Sequence, residues 1–171
     1  DTPDKGDGSL TGYNVWKWID YDNYNYPYAG AGSPDFSTNW IILRYAEIYL
    51  NDAEARLETG DVEGARKAVN MIRQRVGLPD LTESDPEKLR ELIRKERRIE
   101  FAFEEQRFYD VRRWKIGPET QTTLHGVRFV SPTEFKVTKT DIRTWNDRLY
   151  LTPVPHDEIV RSSVLKQNPG Y

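Results

Sequence analysis

The sequence predicts a mostly α-helical protein, in which a helical hairpin is followed by a third long helix, with short β-strands and long loops around them. Three observations predict this class. Apolar residues recur at spacings of three and four from about Asn39, which is typical of amphipathic helices. Gly60-Asp61 and Gly77-Leu78-Pro79 have the composition of helix ends. Ser84-Asp85-Pro86-Glu87 has the composition of a helix start.

Composition sets limits on the classes of function. The chain has 171 residues, enough for one compact domain or a portion of a larger one, and its 37% hydrophobic and 31% charged residues are ordinary for a folded, surface-rich protein. A net charge of −3 is too small to indicate nucleic-acid binding. The absence of cysteine excludes disulfides, thiolate metal sites and cysteine nucleophiles. No stretch approaches the roughly 20 apolar residues of a membrane-spanning helix, and any signal or anchoring segment is expected outside this chain.

The first two helices are predicted to form an antiparallel hairpin. Gly60 suits the left-handed position after the first helix, and Asp61 can cap the second. So short a connection requires the two apolar faces to lie together, a layout that resembles one tetratricopeptide-type hairpin. The apolar positions are Ile42, Tyr45, Ala46, Tyr49, Leu50, Ala53 and Leu57 in the first helix and Val62, Ala65, Ala68, Val69, Ile72 and Val76 in the second.

The rest of the chain is predicted to contain one more long helix and a small β element. The third helix begins near Ser84 or Asp85, either of which could cap it, and runs to about Glu105 or beyond. Short strands are predicted at residues 127–130, 135–137 and 149–152, with one helical turn at 156–159. We therefore divide the chain into residues 1–38, a strand and an aromatic loop, and residues 39–171, a helical domain with a β element at 127–153.

The third helix is rich in carboxylates, and an acid pair for glycoside cleavage is the catalytic alternative for it. Its acids are interleaved with arginines, and an arginine lowers the pKa of a neighbouring carboxyl, the wrong direction for a general acid. We therefore favour structural ion pairs that brace the third helix against the first helix and the following segment. The residues assigned to this role are Arg44, Glu47, Glu96, Arg97 and Glu100.

An aromatic segment near the start of the chain is the predicted ligand surface. Flat rings stack on the apolar faces of sugars, and neighbouring amides and carboxylates bond to sugar hydroxyls. The alternative is that the rings belong to the core, which we favour for Trp16. Asp20, Asp22 and Asn23 hint at a calcium loop but lack its glycine and distal glutamate, and no metal or cofactor is predicted. The candidate ligand residues are Trp18, Tyr21, Asn23, Tyr24, Tyr26 and Tyr28.

Several motifs, taken in order, resemble the C-terminal half of the SusD/RagB family. They are Gly12-Tyr13-Asn14-Val15-Trp16-Lys17, Ile42-Leu43-Arg44-Tyr45-Ala46-Glu47-Ile48-Tyr49-Leu50 with Ala53-Glu54-Ala55, Ile72-Arg73-Gln74-Arg75-Val76-Gly77-Leu78-Pro79, Glu96-Arg97-Arg98-Ile99-Glu100-Phe101-Ala102-Phe103-Glu104 with Arg107-Phe108-Tyr109-Asp110-Val111-Arg112-Arg113-Trp114, and the ending Leu151-Thr152-Pro153-Val154-Pro155 with Gln167-Asn168-Pro169-Gly170-Tyr171. One departure is Glu105, where the family usually has glycine, which is expected to lengthen the third helix by a turn.

The resemblance implies the C-terminal part of a SusD-like α/α fold in a surface lipoprotein of the outer membrane. Such a protein binds oligosaccharide without catalysis and delivers it to a SusC-like TonB-dependent transporter, or binds peptide in RagB-type relatives. Its only link to the membrane would be a lipid anchor, expected outside this chain. The alternative from another class is a tetratricopeptide-like interaction scaffold with no small-molecule ligand.

Overall fold

The structure is a computed structural model that describes residues 15, 17–18, 39–131 and 133–171. The chain divides into two compact units, one of Asp1–Trp18 with Phe108–Tyr171 and the other of Ile19–Arg107. The predicted division between residues 38 and 39 stays a prediction, because residues 19–38 lie outside the described part.

The predicted mostly helical fold is confirmed, and three helices build the unit that ends at Arg107. They are α1 (Tyr45–Glu58), α2 (Val62–Arg75) and α3 (Pro86–Glu100). The helix α1 packs along α2, and both contact α3. Their apolar stripes meet in one core because each stripe must be removed from water by a neighbour. The buried core residues are Ala46, Leu50, Ala53, Leu57, Ala65, Ala68, Val69, Ile72, Leu89, Ile93 and Phe101.

The helix ends follow the predicted capping chemistry. Gly60 has φ of 88°, a left-handed conformation that glycine adopts without a steric cost. The carboxylate of Asp61 accepts a hydrogen bond from Gly64 N at 2.8 Å and caps α2. Of the two candidates for α3, Asp85 is the cap, and its Oδ1 accepts from Glu87 N at 2.9 Å and Lys88 N at 3.1 Å.

Two helix boundaries differ from the prediction. The first helix begins at Tyr45, six residues later than about Asn39, and Arg44 before it is extended. The third helix ends at Glu100, so the expectation that it runs to Glu105 or beyond is wrong. Phe103 and Glu105 both have φ of 64°, a left-handed conformation that an α-helix cannot contain. The turn directs Phe101 into the core, where it is 3% exposed.

The other unit contains a β-hairpin and short helices. Its elements are α4 (Gln106–Arg113), α5 (Gly117–Thr120), β1 (Thr123–Ser131), β2 (Glu134–Ile142), a 3-10 helix (Asp147–Tyr150) and α6 (His156–Arg161). The first two residues of α4 belong to the unit that ends at Arg107. The strands β1 and β2 pair antiparallel, with Val127 opposite Val137 and Phe129 opposite Phe135. Both predicted strands at 127–130 and 135–137 and the helical turn at His156 are confirmed, although the strands are longer than predicted.

The third predicted strand, at residues 149–152, is wrong, because its first residues belong to the 3-10 helix. Side-chain amides of the last segment take the place of a strand partner. Gln167 Nε2 donates to the Val154 carbonyl at 2.9 Å, and its Oε1 accepts from Val154 N at 2.8 Å. Asn168 Nδ2 donates to the Thr152 carbonyl at 2.7 Å. These side-chain hydrogen bonds satisfy backbone groups of Thr152 and Val154 without a partner strand.

Candidate functional site

The predicted ligand segment lies almost entirely outside the described residues. Trp18 is its one described member, and its side chain is half-buried. The other five candidate ligand residues lie outside the described residues, so their ligand-binding role stays a prediction. They are Tyr21, Asn23, Tyr24, Tyr26 and Tyr28, and Trp16 likewise falls outside the described residues.

Arg44 lies immediately before α1 and binds two glutamates at the end of α3. Its Nε donates to Glu104 Oε2 at 2.7 Å and its Nη2 donates to Glu104 Oε1 at 2.9 Å, a bidentate pair. Nη2 also donates to the Glu100 carbonyl at 2.8 Å, and Nη1 contacts the Glu100 carboxylate. One guanidinium therefore ties the start of α1 to the end of α3.

Arg97 crosses from α3 to α1 and is almost completely buried. Its side chain is 4% exposed, and its Nη1 donates to Asn51 Oδ1 at 2.7 Å. Its Nη2 lies 3.9 Å from Glu47 Oε1, and Gln106 Nε2 donates to the other oxygen of Glu47 at 3.2 Å. Because a buried charge is costly unless it is paired and hydrogen-bonded, this arrangement lets the cation sit between the helices.

The helix α2 contributes two further arginines that bind the same face of α3. Arg73 Nη1 donates to Glu96 Oε2 at 2.7 Å, and its Nε donates to the Pro79 carbonyl at 2.8 Å. Arg75 Nη2 donates to Glu100 Oε1 at 2.7 Å. The five residues predicted for structural ion pairs thus lie in contacts that join α1, α2 and α3.

The ring of Phe101 lies beneath two of these guanidinium groups. The Cζ of Arg44 is 4.6 Å from the ring centroid, and the Cζ of Arg97 is 5.2 Å from it. Cations attract the negative face of an aromatic ring, and more strongly where water is excluded. The buried ring therefore supports Arg44 and Arg97. We call Arg44, Arg73, Arg75 and Arg97, with the glutamates they bind, the arginine brace.

The electrostatics of the brace suit a scaffold. Burial lowers the pKa of Arg44, but the hydrogen bonds and charges of Glu104 and Glu100 outweigh it, so the pKa is raised above its ordinary value. Glu96, Glu100 and Glu104 each accept from an arginine. These carboxylates are therefore engaged in contacts between elements of the helical unit. Within the described residues no cluster of histidine and acidic side chains could hold a metal ion.

A concave spot that the described residues form between α1 and α3 is too small to be a ligand site. It encloses about 10 Å³, roughly one water molecule, and is lined by Glu54, Leu57, Glu58, Arg90, Ile93 and Arg94. Arg90 there binds Glu58 at 2.8 Å, and the hydrogen bonds of Glu58 and Glu87 raise its pKa above the ordinary value.

Several residues that form the brace or contact it were not among the predicted site residues. Arg73 and Arg75 stand in the quoted Ile-Arg-Gln-Arg motif, but residues two apart in a helix do not share a face, so their spacing did not indicate a common partner helix. Asn51 and Gln106 gave no signal, because a neutral amide in a helix has no pattern of its own. Glu104 was expected to continue α3, and only the turn at Phe103 brings its carboxylate to Arg44.

A helical hairpin closed by a third helix, with buried arginine–glutamate pairs between them, defines a helical scaffold. The chain belongs to the SusD family, whose model matches residues 1–171. It is 38% identical to the SusD-like protein P2 of Formosa agariphila, an alignment that covers 84% of this chain and 28% of the relative. The SusD-like protein P25 of the same organism is 32% identical, with 88% of this chain and 31% of the relative covered.

A solved structure supports the same fold. The crystal structure of a SusD-like protein from Bacteroides fragilis NCTC 9343 matches with a TM-score of 0.89 and 96% sequence identity, covering 100% of this chain and 32% of that one. The chain therefore spans less than a third of the length of these relatives. No helix in the ranges that the structure describes is long and apolar enough to cross a membrane.

Proposed function

We propose that this chain is part of a nutrient-binding protein of the outer-membrane surface, which captures an oligosaccharide and delivers it to a SusC-like TonB-dependent transporter. The observation that carries the proposal is the match of the SusD family model to the whole chain. In this proposal the protein is a lipoprotein, and its lipid anchor is its link to the membrane.

The proposed activity is binding without catalysis. Support comes from the carboxylates of α3, since Glu96 and Glu100 are held by Arg73, Arg75 and Arg44. Glycoside cleavage needs two carboxyl groups that flank the scissile bond. Glu96 and Glu100 instead bind arginines of the helical unit, which supports a scaffold.

Ligand recognition is assigned to the aromatic segment. Its rings would stack on sugar faces, and Asn23 would bond to hydroxyls. Among the described residues, the concave spot between α1 and α3 holds about one water, which is too little for a sugar. The proposed ligand residues are Trp18, Tyr21, Asn23, Tyr24, Tyr26 and Tyr28.

A glycan array probed with the gene's full-length product tests this function. We expect saturable binding to one class of oligosaccharide, with a dissociation constant then measured by titration calorimetry. A peptide library examined in parallel identifies the RagB-type alternative, in which peptides bind and glycans do not. Binding to neither would favour the interaction scaffold, and release of reducing sugar from a polysaccharide panel would show an enzyme.

A further inference from the structure

Residues 167–171, which we call the strap, bind back to the main chain of residues 148–154 in their own unit. The first contact is a pair of hydrogen bonds between Gln167 and Val154. Gln167 Nε2 donates to the Val154 carbonyl at 2.9 Å, and Gln167 Oε1 accepts from Val154 N at 2.8 Å. A side-chain amide carries the same donor and acceptor as a peptide group, so Gln167 pairs with Val154 much as a residue of a neighbouring strand does.

Two more side chains of the strap reach the same stretch of main chain. Asn168 Nδ2 donates to the Thr152 carbonyl at 2.7 Å, and the Tyr171 hydroxyl donates to the Leu151 carbonyl at 3.1 Å. The Cζ of Arg148 lies 5.3 Å from the centroid of the Tyr171 ring. The strap therefore binds mainly to backbone groups, not to the side chains of the stretch that it covers.

Internal bonds connect the residues of the strap to one another. Pro169 and Gly170 are the residues that a type II turn prefers at its two central positions, and Gly170 has the positive φ, 91°, that such a turn requires. Tyr171 N donates to the Asn168 carbonyl across this turn at 3.4 Å. Gln167 Oε1 also accepts from Asn168 N at 2.9 Å. These links favour contacts that form and break together.

The strap is held by contacts that water can replace. None of its five residues is buried, and Tyr171 is 42% exposed. Hydrogen bonds at such positions contribute little net stability, because water takes the place of the lost partner. Segments with few buried apolar contacts open locally, at a lower free energy than the whole fold. The strap meets this condition.

The connection to the strap does not hold it in place. Residues 163–166 lead from α6 to the strap, and within the described residues their one hydrogen bond runs from Leu165 N to the Ser162 carbonyl at 3.2 Å. Val164 and Leu165 are 84% and 43% exposed. A linker with so few contacts allows the strap to move away when its own bonds break.

The 3-10 helix before the covered stretch has an anchor of its own. The Tyr150 hydroxyl accepts from Gly117 N at 3.3 Å, and the Tyr150 ring packs on Trp145 with centroids 5.0 Å apart. A Cβ at Gly117 would overlap the Trp145 ring, so the indole fills the space that glycine leaves. These contacts do not involve the strap, so they persist when the strap opens.

We propose that the strap opens and closes over residues 151–154 as one unit while the rest of the fold stays closed. In the closed state it covers backbone groups with which another extended chain can pair. In the open state these groups are accessible, namely the carbonyls of Leu151, Thr152 and Val154 and the N–H of Val154. The strap thus guards this backbone by an intramolecular contact, and the inference is independent of the proposed ligand and transporter.

Hydrogen exchange of the gene's full-length product, followed by mass spectrometry, tests this inference. Pro153 and Pro155 have no N–H, so Val154 carries the only backbone N–H of residues 153–155. Its exchange should be slower than in an unstructured peptide of the same sequence, and about tenfold or more faster than in α2, which opens only with wider unfolding. Exchange at the unstructured rate would show that the strap is not closed. Exchange as slow as in α2 would show that the strap does not open alone.

Tyr171→Phe tests whether the strap moves as one unit. This change removes the hydroxyl that bonds to Leu151 and leaves the hydrogen bond of Val154 N intact. The exchange rate of Val154 should nevertheless rise about threefold or more, because one lost hydrogen bond shifts the opening equilibrium of the whole strap. Tyr109→Phe is the matched control, at a tyrosine of the same unit that is 63% exposed, and should leave the exchange rate of Val154 unchanged.

A second variant removes a different contact of the strap. Asn168→Ala deletes the donor to the Thr152 carbonyl and should accelerate exchange at Val154 to a similar extent. The amides of β1 and β2 should exchange at the same rate in every variant. Unchanged exchange at Val154 in both strap variants would overturn the proposal, because the contacts would then be independent. Equal acceleration in β1 and β2 would also overturn it, by showing that the strap opens only with its whole unit.

Discussion

Arg44 holds Glu104 through two parallel hydrogen bonds, from Nε at 2.7 Å and from Nη2 at 2.9 Å. The two residues are 60 positions apart in the chain, and the Glu104 side chain is 5% exposed. The pair fixes the turn after α3 against the start of α1. A contact of this kind specifies geometry as well as stability, because the planar guanidinium donates two parallel hydrogen bonds to a carboxylate in one orientation.

The Arg44–Glu104 pair should show strong energetic coupling. A double-mutant cycle with Arg44→Met and Glu104→Gln should give a coupling energy of about 1–3 kcal/mol in the free energy of unfolding. The exposed pair Arg161–Glu158, at 74% and 51% exposure, is the control. Its coupling should be about 0.5 kcal/mol or less. Equal coupling in the two cycles would show that the brace contributes no more than a surface pair.

Arg97 should be essential for folding. Arg97→Met removes a buried cation and leaves Glu47 and Asn51 without their partner, so we expect a loss of about 3 kcal/mol in unfolding free energy. Urea denaturation measures this loss. The neighbouring Arg98 is exposed, and Arg98→Met should change stability by less than about 0.5 kcal/mol. An Arg97 variant with unchanged stability but altered ligand binding would contradict the scaffold role.

Glycine at position 105 should stabilise the protein. Glu105 has φ of 64°, a conformation that costs a non-glycine residue about 1–2 kcal/mol. Glu105→Gly relieves that strain, and the greater freedom of glycine in the unfolded chain offsets part of the gain. We expect a net increase of about 0.5–1 kcal/mol in unfolding free energy. Glu105→Ala retains the strain and serves as the control, so a similar gain in both variants would locate the effect in the glutamate side chain.

The cap of α3 should give a pH-dependent contribution to stability. The hydrogen bond from Lys88 N, opposed by desolvation and supplemented by Glu87 N, lowers the pKa of Asp85. A lowered folded-state pKa stabilises the fold above the unfolded-state pKa, and this contribution is lost as the pH falls through the folded-state pKa.

The expected outcome is a lower Tm for Asp85→Ala than for the unsubstituted protein at pH 7. The deficit should shrink at about pH 3, where protonation weakens the native cap as well. Asp85→Asn keeps a side-chain acceptor without a titrating group. The melting temperature of Asp85→Asn should therefore change less between the two pH values than that of the unsubstituted protein. A deficit that is equal at both pH values would show that the charge of Asp85 has no part in capping.

The helical core was predictable because it depends on local patterns. The spacing of Leu50, Ala53 and Leu57 and the positions of Gly60 and Asp85 are readable without knowledge of distant contacts. The end of α3 was not predictable, since Ile99, Ala102 and Phe103 continue a helical spacing. Burial of Phe101 and the pairing of Glu104 with Arg44, both tertiary effects, favour the left-handed turn instead.

The other errors have the same origin. The segment at Leu149 has strand-like composition, but the 3-10 helix there is fixed by Asn146, whose side chain accepts from Arg148 N at 3.0 Å. Tyr150 in that helix packs on Trp145 with ring centroids 5.0 Å apart. Charged residues of α3 could be assigned to ion pairs in general, whereas their particular partners depend on the crossing of three helices.

The most direct test of the account measures ligand affinity and stability in the same variant. Replacing Tyr24, Tyr26 and Tyr28 with alanine should weaken binding of the array-identified oligosaccharide about tenfold or more, because three stacking rings are lost. The melting temperature should stay nearly unchanged. Tyr109→Ala, at a tyrosine that is 63% exposed in α4, should alter neither quantity. Full affinity in the triple variant would contradict the assignment of recognition to the aromatic segment.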